Sequence, residues 1–303
     1  MHLTLRQIEV FNAVARHQNF TRAAEALHLS QPAVSMQVRQ LEDSIGLPLF
    51  EQVGKQIHLT DAGEQMYSYG RNITGLLDEA EGVFEAIKGV ERGNLTISVA
   101  TTASHFATRL LAEFSKLHSG ITISLDVTNR QALRRQLDNN EPDLVIMGQP
   151  PRGVDVEATA FMENPLVMIA PPGHALTARQ QIPLSHFADE SFVVRELGSG
   201  TRGATQRFFD EHGVPFITGI EMTSNEAIKQ AVEAGLGLGI VSIHTLELEL
   251  ETGRLEILDV EDFPIIRHWY VLKRKGKRLS PSAQAFKAFV LEQAAQFIRL
   301  PKQ

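Results

Sequence analysis

Apolar positions recur with helical spacing at the start of the chain. Leu5, Ile8, Val10, Phe11 and Val14 mark one face of a helix over residues 4–17. A short second helix is predicted over 19–29, with Thr21 as its N-cap and Ala23, Ala24 and Ala26 allowing close packing. A third opens at Ser30-Gln31-Pro32: serine caps it, and proline sits in the first turn, where a missing N–H costs nothing. Val34, Val38, Leu41 and Ile45 form its apolar face and Gly46 ends it. LPLFEQVGKQIHLT then alternates around Gly54, as a two-stranded hairpin would.

Over 61–91 no proline interrupts a long helical pattern. Met66, Ile73, Ala80 and Ile87 fall seven apart, accompanied by Leu76, Leu77, Val83 and Phe84. A seven-residue apolar repeat on an acidic helix predicts a helix–helix seam between subunits; a helix lying on its own domain is the alternative. From Gly93 the texture changes. Strand-like runs (LTISVA, ITISLDV, DLVIMG, PLVMIA, SFVV, GIEMT, LGIVSI) alternate with helical ones such as SHFATRLLAEFSKLH and NEAIKQAVEAGLG, the pattern of an α/β sheet. LVMIAPPGHAL starts a second lobe, and HWYVLKR with the helix after it returns to the first. The predicted architecture is multi-domain: an all-α winged helix-turn-helix (1–60), a linker helix (61–91) and an α/β two-lobed, periplasmic-binding-protein-like effector domain (92–303). Lobe 1 is expected at about 92–162 and 267–303, lobe 2 at about 163–266.

Composition narrows the function. A chain of 303 residues exceeds one typical core, and 43% hydrophobic with 21% charged residues is ordinary for a soluble globular protein. No cysteine is present, which removes disulfides, thiolate metal sites and cysteine nucleophiles and fits a reducing cytoplasm. No apolar run approaches the ~20 residues that span a bilayer, and MHLTLRQIEVFNAV lacks the layout of a signal peptide. A cytoplasmic protein without a membrane partner is therefore expected. The eleven histidines show no metal-site spacing, and no GxSxG turn occurs, so an enzyme is disfavoured. His105 and His174 are candidates for lining a cleft, with a structural role the better expectation. A solute-binding protein would explain the C-terminal two-thirds alone.

Net charge is −7, an odd balance for a DNA-binding protein. By segment, 1–60 carries five bases and five acids, and 61–92 carries three bases and seven acids. The proposed DNA end is neutral, so charge alone does not point to DNA. The side-chain spacing does. Gln31, Ser35 and Arg39 sit four apart on one face of the third helix, the element that enters the major groove in a helix-turn-helix. Gln can address adenine, Ser either groove edge and Arg guanine or phosphate; Met36 suits a thymine methyl. For an anionic ligand, three loops leading into helices qualify: 101–106 (TTASHF), Gly148-Gln149 after DLVIM, and the glycine-rich turn 198–204 with Ser199, Thr201 and Arg202. Asn129 and Asn225 lie at further strand ends. Helix capping is the competing role for each hydroxyl, and Arg202 is the sharpest candidate because a cap would not call for a cation.

AAEALHLSQPAVSMQVRQLEDSIGLPLF followed by LTDAG closely resembles the LysR-type transcriptional regulators, and the resemblance extends over the whole chain. It implies DNA contacts from Gln31, Pro32, Ser35, Met36 and Arg39, phosphate contacts from Thr21 and Arg22, and a wing cation at Lys55. The family often has an arginine where this chain has Gln52. Hydroxyls at Thr101, Thr102 and Thr201, beside Ala103, are implied to meet the effector's acidic groups. FEQVGKQIHLT, NLTISVATTASHFATRLLAEF, NNEPDLVIMGQPP and NPLVMIAPPGHAL resemble the CbbR or RbcR branch, which governs carbon-fixation (RuBisCO) operons. That implies no cofactor but a small anionic effector: a phosphorylated sugar, a phosphoglycerate-type metabolite or a nicotinamide nucleotide such as NADPH. The implied partners are double-stranded promoter DNA, further copies of the chain (homodimer or homotetramer) and RNA polymerase. Regulation of another metabolic operon stays open, as does activation against repression.

Overall fold

The computed structural model describes residues 3–53, 56–87 and 92–298. The chain divides into two compact units, the first made by residues up to 89 together with 139–141, the second by the rest.

In the first unit, α1 (Leu5–His17) begins with a capping box. Thr4 Oγ1 accepts from the Gln7 N–H, and Gln7 Oε1 accepts from the Thr4 N–H. The second helix, α2 (Phe20–Ala26), is shorter than expected, and its N-cap is Asn19 rather than Thr21. Asn19 Oδ1 accepts from the N–H groups of Thr21 and Arg22 at 2.8 and 3.0 Å. A cap must be extended, as Asn19 is, while Thr21 already lies in the first turn. His28, at φ 54°, turns the chain toward α3 (Gln31–Ile45). Ser30 caps α3, and Gly46 ends it at φ 81°, in the left-handed region that glycine tolerates. The inner faces of the three helices close on Val10, Val14, Ala23, Ala24, Val34 and Val38.

The hairpin of β1 (Phe50–Val53) and β2 (Gln56–Leu59) is antiparallel. Gly54 and Lys55, at its turn, lie outside the described residues. Two side chains fasten it. Glu42 Oε1 accepts from the Leu49 and Phe50 N–H groups at 2.7 and 3.3 Å. Thr60 Oγ1 donates to the Pro48 carbonyl at 2.7 Å and accepts from the Gly63 N–H at 3.0 Å. Gly63 lies in the first turn of α4 (Asp61–Ile87), where a Cβ would stand 2.0 Å from the Leu49 carbonyl oxygen. The glycine of LTDAG is thus what lets α4 approach the hairpin. Met66, expected in an intersubunit seam, packs instead against the cluster of Phe11, Leu41 and Leu49. Farther along α4, Tyr69, Leu76, Leu77 and Phe84 are exposed, and so is Ala80. The side chains of Val83 and Ile87 lie outside those described.

The second unit holds two five-stranded sheets. Its elements in order are β3 (Gly93–Ala100), α5 (Ser104–Leu117), β4 (Ile121–Thr128), α6 (Arg130–Asp138), β5 (Leu144–Met147) and β6 (Val156–Glu163). There follow β7 (Leu166–Ala170), β8 (Ser191–Arg195), α7 (Gly200–Glu211), β9 (Ile217–Met222), α8 (Asn225–Glu233) and β10 (Leu238–Ser242). Last come α9 (Glu247–Glu251), β11 (Glu256–Ile257), β12 (His268–Arg274) and α10 (Pro281–Phe297). Lobe 1 has strand order β4-β3-β5-β12-β6 and lobe 2 has β11-β7-β10-β8-β9. The strand β6 has no strong apolar pattern and no counterpart in the sequence expectation. It forms because its residues pair along the length of β12. Lobe 1 is filled by Phe106, Leu110, Phe114, Trp269 and Phe286, and lobe 2 by Phe187, Phe192 and Phe209 on one side of its sheet.

The chain crosses between lobes twice, and the crossings run side by side. The Asn164 N–H donates to the Arg267 carbonyl at 2.7 Å, and Leu166 and Ile265 exchange both backbone hydrogen bonds at 2.9 and 3.0 Å. Parallel strands of both lobes end at this seam, which is where α/β sheets hold ligands.

Candidate DNA-reading face and effector cleft

On α3, Gln31, Pro32, Met36 and Arg39 are exposed and Ser35 is half-buried, while Val34 and Val38 anchor the opposite side. Gln31 Nε2 donates to Ser35 Oγ at 2.8 Å, so these two polar groups are already oriented as a pair one helical turn apart. Thr21 and Arg22 are exposed at the start of α2. With Asn19 doing the capping, the Thr21 hydroxyl is not spent on that role. Lys55 falls outside the described residues. Two of the acids that neutralise the segment are engaged elsewhere: Glu9 with Arg6 at 3.0 Å, and Glu42 with the hairpin amides.

In the second unit a cavity of about 40 Å3 lies between the lobes. Six expected residues line it: Thr101 and Thr102 after β3, Gly148 and Gln149 after β5, and Ser199 and Thr201 at the start of α7. Ser199 is the N-cap residue of α7 but makes no side-chain capping bond, which leaves its hydroxyl and the first-turn amides to the cleft wall.

Four expected residues do not line it. Arg202 is held in lobe 2, donating to the Arg195 carbonyl at 3.1 Å and to the Glu221 carboxylate. An ion pair explains the cation there. Asn225 accepts from Arg195 Nη1 at 2.9 Å and so steadies a lining residue from behind. Asn129 caps α6 by accepting from the Ala132 N–H at 2.9 Å. Ala103 is buried in the lobe 1 core. His105 lies 3.3 Å from Glu226, and His174 accepts from the Leu176 N–H; neither lines the cavity.

The cations of the site come from residues not anticipated: Arg130, Arg195 and Arg267, joined by Asn164, Glu196, Ser242 and Trp269. Arg195 is neutralised by a two-point pair with Glu196 at 2.7 and 2.9 Å. Arg130 and Arg267 instead donate to carbonyls, Arg130 to Gln149 at 2.8 Å and Arg267 to Gly148 at 3.0 Å. Among the described residues, no carboxylate lies within ion-pair distance of either, since the pairs found involve other groups. Their guanidiniums converge on Gly200, whose Cβ position would be 3.2 Å from Arg267 Nη2 and 3.6 Å from Arg130 Nη1. Burial, then the neighbouring charges of Arg130 and Arg207, pushes the Arg267 pKa down to about 10. Arg130 is lowered as well, by burial first and Arg207 second. Two like charges held together in a partly dry cleft favour an anion between them. The buried Trp269 indole N–H, without a hydrogen-bond partner among the described residues, supplies a further donor in that wall.

Arg130 is one residue from a position the sequence does point to, Asn129. Arg267 carries a weaker signal, a lone cation where the chain re-enters lobe 1. Asn164 and Trp269 carry none.

Family comparison agrees with this architecture at both ends. Residues 5–64 match the bacterial regulatory helix-turn-helix protein model of the LysR family, and residues 88–295 match the LysR substrate binding domain. The chain belongs to the LysR family of transcriptional regulators. A RuBisCO operon transcriptional regulator of Allochromatium vinosum is 60% identical over 296 residues, covering 98% of each chain. The regulatory domain of Synechocystis PCC6803 CcmR, solved in complex with 2-PG, is 43% identical with a TM-score of 0.65, covering 70% of this chain and 100% of that one. A full-length OxyR variant from Pseudomonas aeruginosa shares the fold over 100% of both chains, with a TM-score of 0.79 at 22% identity. Among the described residues no helix is long and apolar enough to cross a membrane.

Proposed function

We propose that this regulator controls carbon-fixation genes in response to a small phosphorylated metabolite bound between its lobes. The observation that carries the reading is the convergence of Arg130 and Arg267, with no carboxylate partner among the described residues, on the first turn of α7. A phosphate there would gain charge-assisted hydrogen bonds from both guanidiniums, the Ser199 and Thr201 hydroxyls and the α7 amides. The A. vinosum relative named for the RuBisCO operon and the CcmR domain complexed with 2-PG support both halves of the reading. The polar and cationic lining of the cavity suits an anionic head group such as that of a phosphorylated acid or sugar.

Arg267 and Asn164 sit on the two adjacent crossings, so an anion drawn between Arg267 and α7 acts where the lobes are joined. It would set the angle between lobes and, through paired copies, the spacing of the DNA heads. The exposed stripe of Tyr69, Leu76, Leu77, Ala80 and Phe84 on α4 supports pairing in a homodimer or homotetramer. Promoter DNA would be read by Gln31, Pro32, Ser35, Met36 and Arg39, with Thr21, Arg22 and Lys55 on phosphates. Because the first 60 residues are neutral, two or more linked heads would supply the affinity. The decisive test is a gel shift and footprint on the promoter of a RuBisCO operon, with and without 2-phosphoglycolate, for wild type and Arg267→Gln. We expect the wild-type pattern to change with the metabolite and the variant's to stay fixed. A variant that still responds would overturn the pocket assignment.

A further inference from the structure

Gln31, Ser35 and Arg39 do not complete the polar stripe of α3. At 3.6 residues per turn Glu42 falls within the same stripe, the four positions together spanning about 80° of the helix. A free carboxylate one turn beyond Arg39 would repel the phosphates that this face must meet. Glu42 is instead half-buried, and its Oε1 accepts from the Leu49 and Phe50 N–H groups at 2.7 and 3.3 Å, where the chain enters β1. The polar stripe therefore ends on the base of the wing. That base is held from its other side as well. The Leu49 carbonyl accepts from the Thr60 N–H at 3.1 Å, and Thr60 Oγ1 donates to the Pro48 carbonyl at 2.7 Å. Leu49 is fully buried with Phe11 and Leu41, and the Phe50 ring lies 5.2 Å from that of Phe11 and 5.8 Å from that of Phe20.

We propose that Glu42 is a positioning residue for DNA binding: it fixes the angle between the wing and α3, so that the hairpin tip meets the DNA backbone while α3 lies in the groove. The proposal rests on α3 and the wing being the DNA-contacting elements, as read above. Apolar contacts and Thr60 keep the hairpin attached to its unit, and the bond to Glu42 sets where it stands relative to α3. The physical reason is the pairing of backbone amides. The N–H of a fully buried residue such as Leu49 needs an acceptor. With none on α3 it must turn toward water, and the strand is drawn off the helix. The wing then keeps its pairing but loses its angle, and a cation at its tip no longer reaches phosphate when α3 is seated. Gln keeps an oxygen at the same reach, Asp withdraws it by one methylene, and Ala removes it.

The test is a double-variant cycle on the full chain, read as affinity for a RuBisCO-operon promoter duplex between about 50 and about 200 mM salt. Lys55, between β1 and β2 in the sequence, lies outside the described residues and serves as the reporter of wing contact. In wild type, Lys55→Gln should weaken binding about threefold to tenfold and reduce the salt slope by about 0.9 per bound head. In the Glu42→Ala background the same change should move affinity by less than about twofold. In the Glu42→Gln background it should cost as much as in wild type. Thermal melts establish that each variant is folded; if Glu42→Ala is not, Glu42→Asp takes its place in the cycle with the same expectation. A Lys55→Gln cost equal in all backgrounds would reduce Glu42 to a contact of the fold and overturn the proposal. Glu42→Gln behaving like Glu42→Ala would overturn the amide-acceptor basis. A wild type indifferent to Lys55→Gln would overturn the wing contact, and the proposal with it, while leaving the α3 face standing.

Discussion

The DNA-reading face and the effector cleft solve recognition in opposite ways. The face is a short local stretch, 21–39, in the neutral segment 1–60: its groups are largely exposed, spaced by helical turns and pre-paired, as Gln31 and Ser35 are. The cleft draws residues from 100 to 269 into one cavity and concentrates three arginines there, two of them without a carboxylate partner among the described residues. Exposed polar groups cost little to hold in water, so the face can be built from one helix. Desolvated like charges repel, and they need the two crossings and a rigid carbonyl frame to stay together.

The comparison breaks most sharply at Arg267. Replacing it with Gln removes charge-assisted bonds to the anion, and effector affinity should fall about 100-fold, or roughly 3 kcal/mol. Calorimetry checks this, and DNA binding without effector should be unaltered. The next largest effect lies in the first unit. Gly63→Val places side-chain atoms where a Cβ already stands 2.0 Å from the Leu49 carbonyl. It should destabilise that unit by about 1–3 kcal/mol or more, with earlier melting and lost promoter binding while effector titration of the second unit persists. Effector binding lost together with promoter binding would contradict the independence of the two regions.

Ser35→Ala and Arg39→Ala should each weaken specific binding by about 1–3 kcal/mol, read as a gel shift against cognate and scrambled DNA. If weakening is equal on both DNAs, the residue contacts phosphate rather than base edges. The smallest effect concerns pH. Burial, followed by the nearby Lys229 charge, lowers the His105 pKa from 6.5, and burial lowers that of His244. Both histidines bind fewer protons folded than unfolded just below that value, so their stability contribution is present above pH 6.5 and lost as pH falls. Thermal melts from pH 8 to 5 should show the second unit losing stability on acidification, and His244→Gln should blunt the slope.

Much of this molecule is legible in order along the chain. The periods of α1, α3 and α4, the Ser30-Gln31-Pro32 start and the alternation of strands and helices after Gly93 are local features, written in consecutive residues. The polar face of α3 follows from the same periodicity. Local reasoning fails where two local options are close, as with Asn19 and Thr21 for the cap of α2. It also fails where an element is made by its neighbour: β6 is a strand because β12 pairs with it.

For the cleft, glycine and hydroxyl positions at strand ends point to Thr101, Thr102, Gly148, Gln149, Ser199 and Thr201, because βα turns have a signature in sequence. The charged residues carry at most a weak one. Arg202 and Arg267 are both lone cations near a turn. Glu221 captures the first, whereas the second enters a cavity whose lining acid, Glu196, is already paired with Arg195. An arginine's role depends on which carboxylates lie within about 4 Å, and these come from the next residue for Arg195 but from a separate strand for Arg202. The sequence by itself determined the elements, the two-lobed class and the helix that reads DNA. Only the tertiary structure decided which cations go without a carboxylate, and with that where an anion can bind.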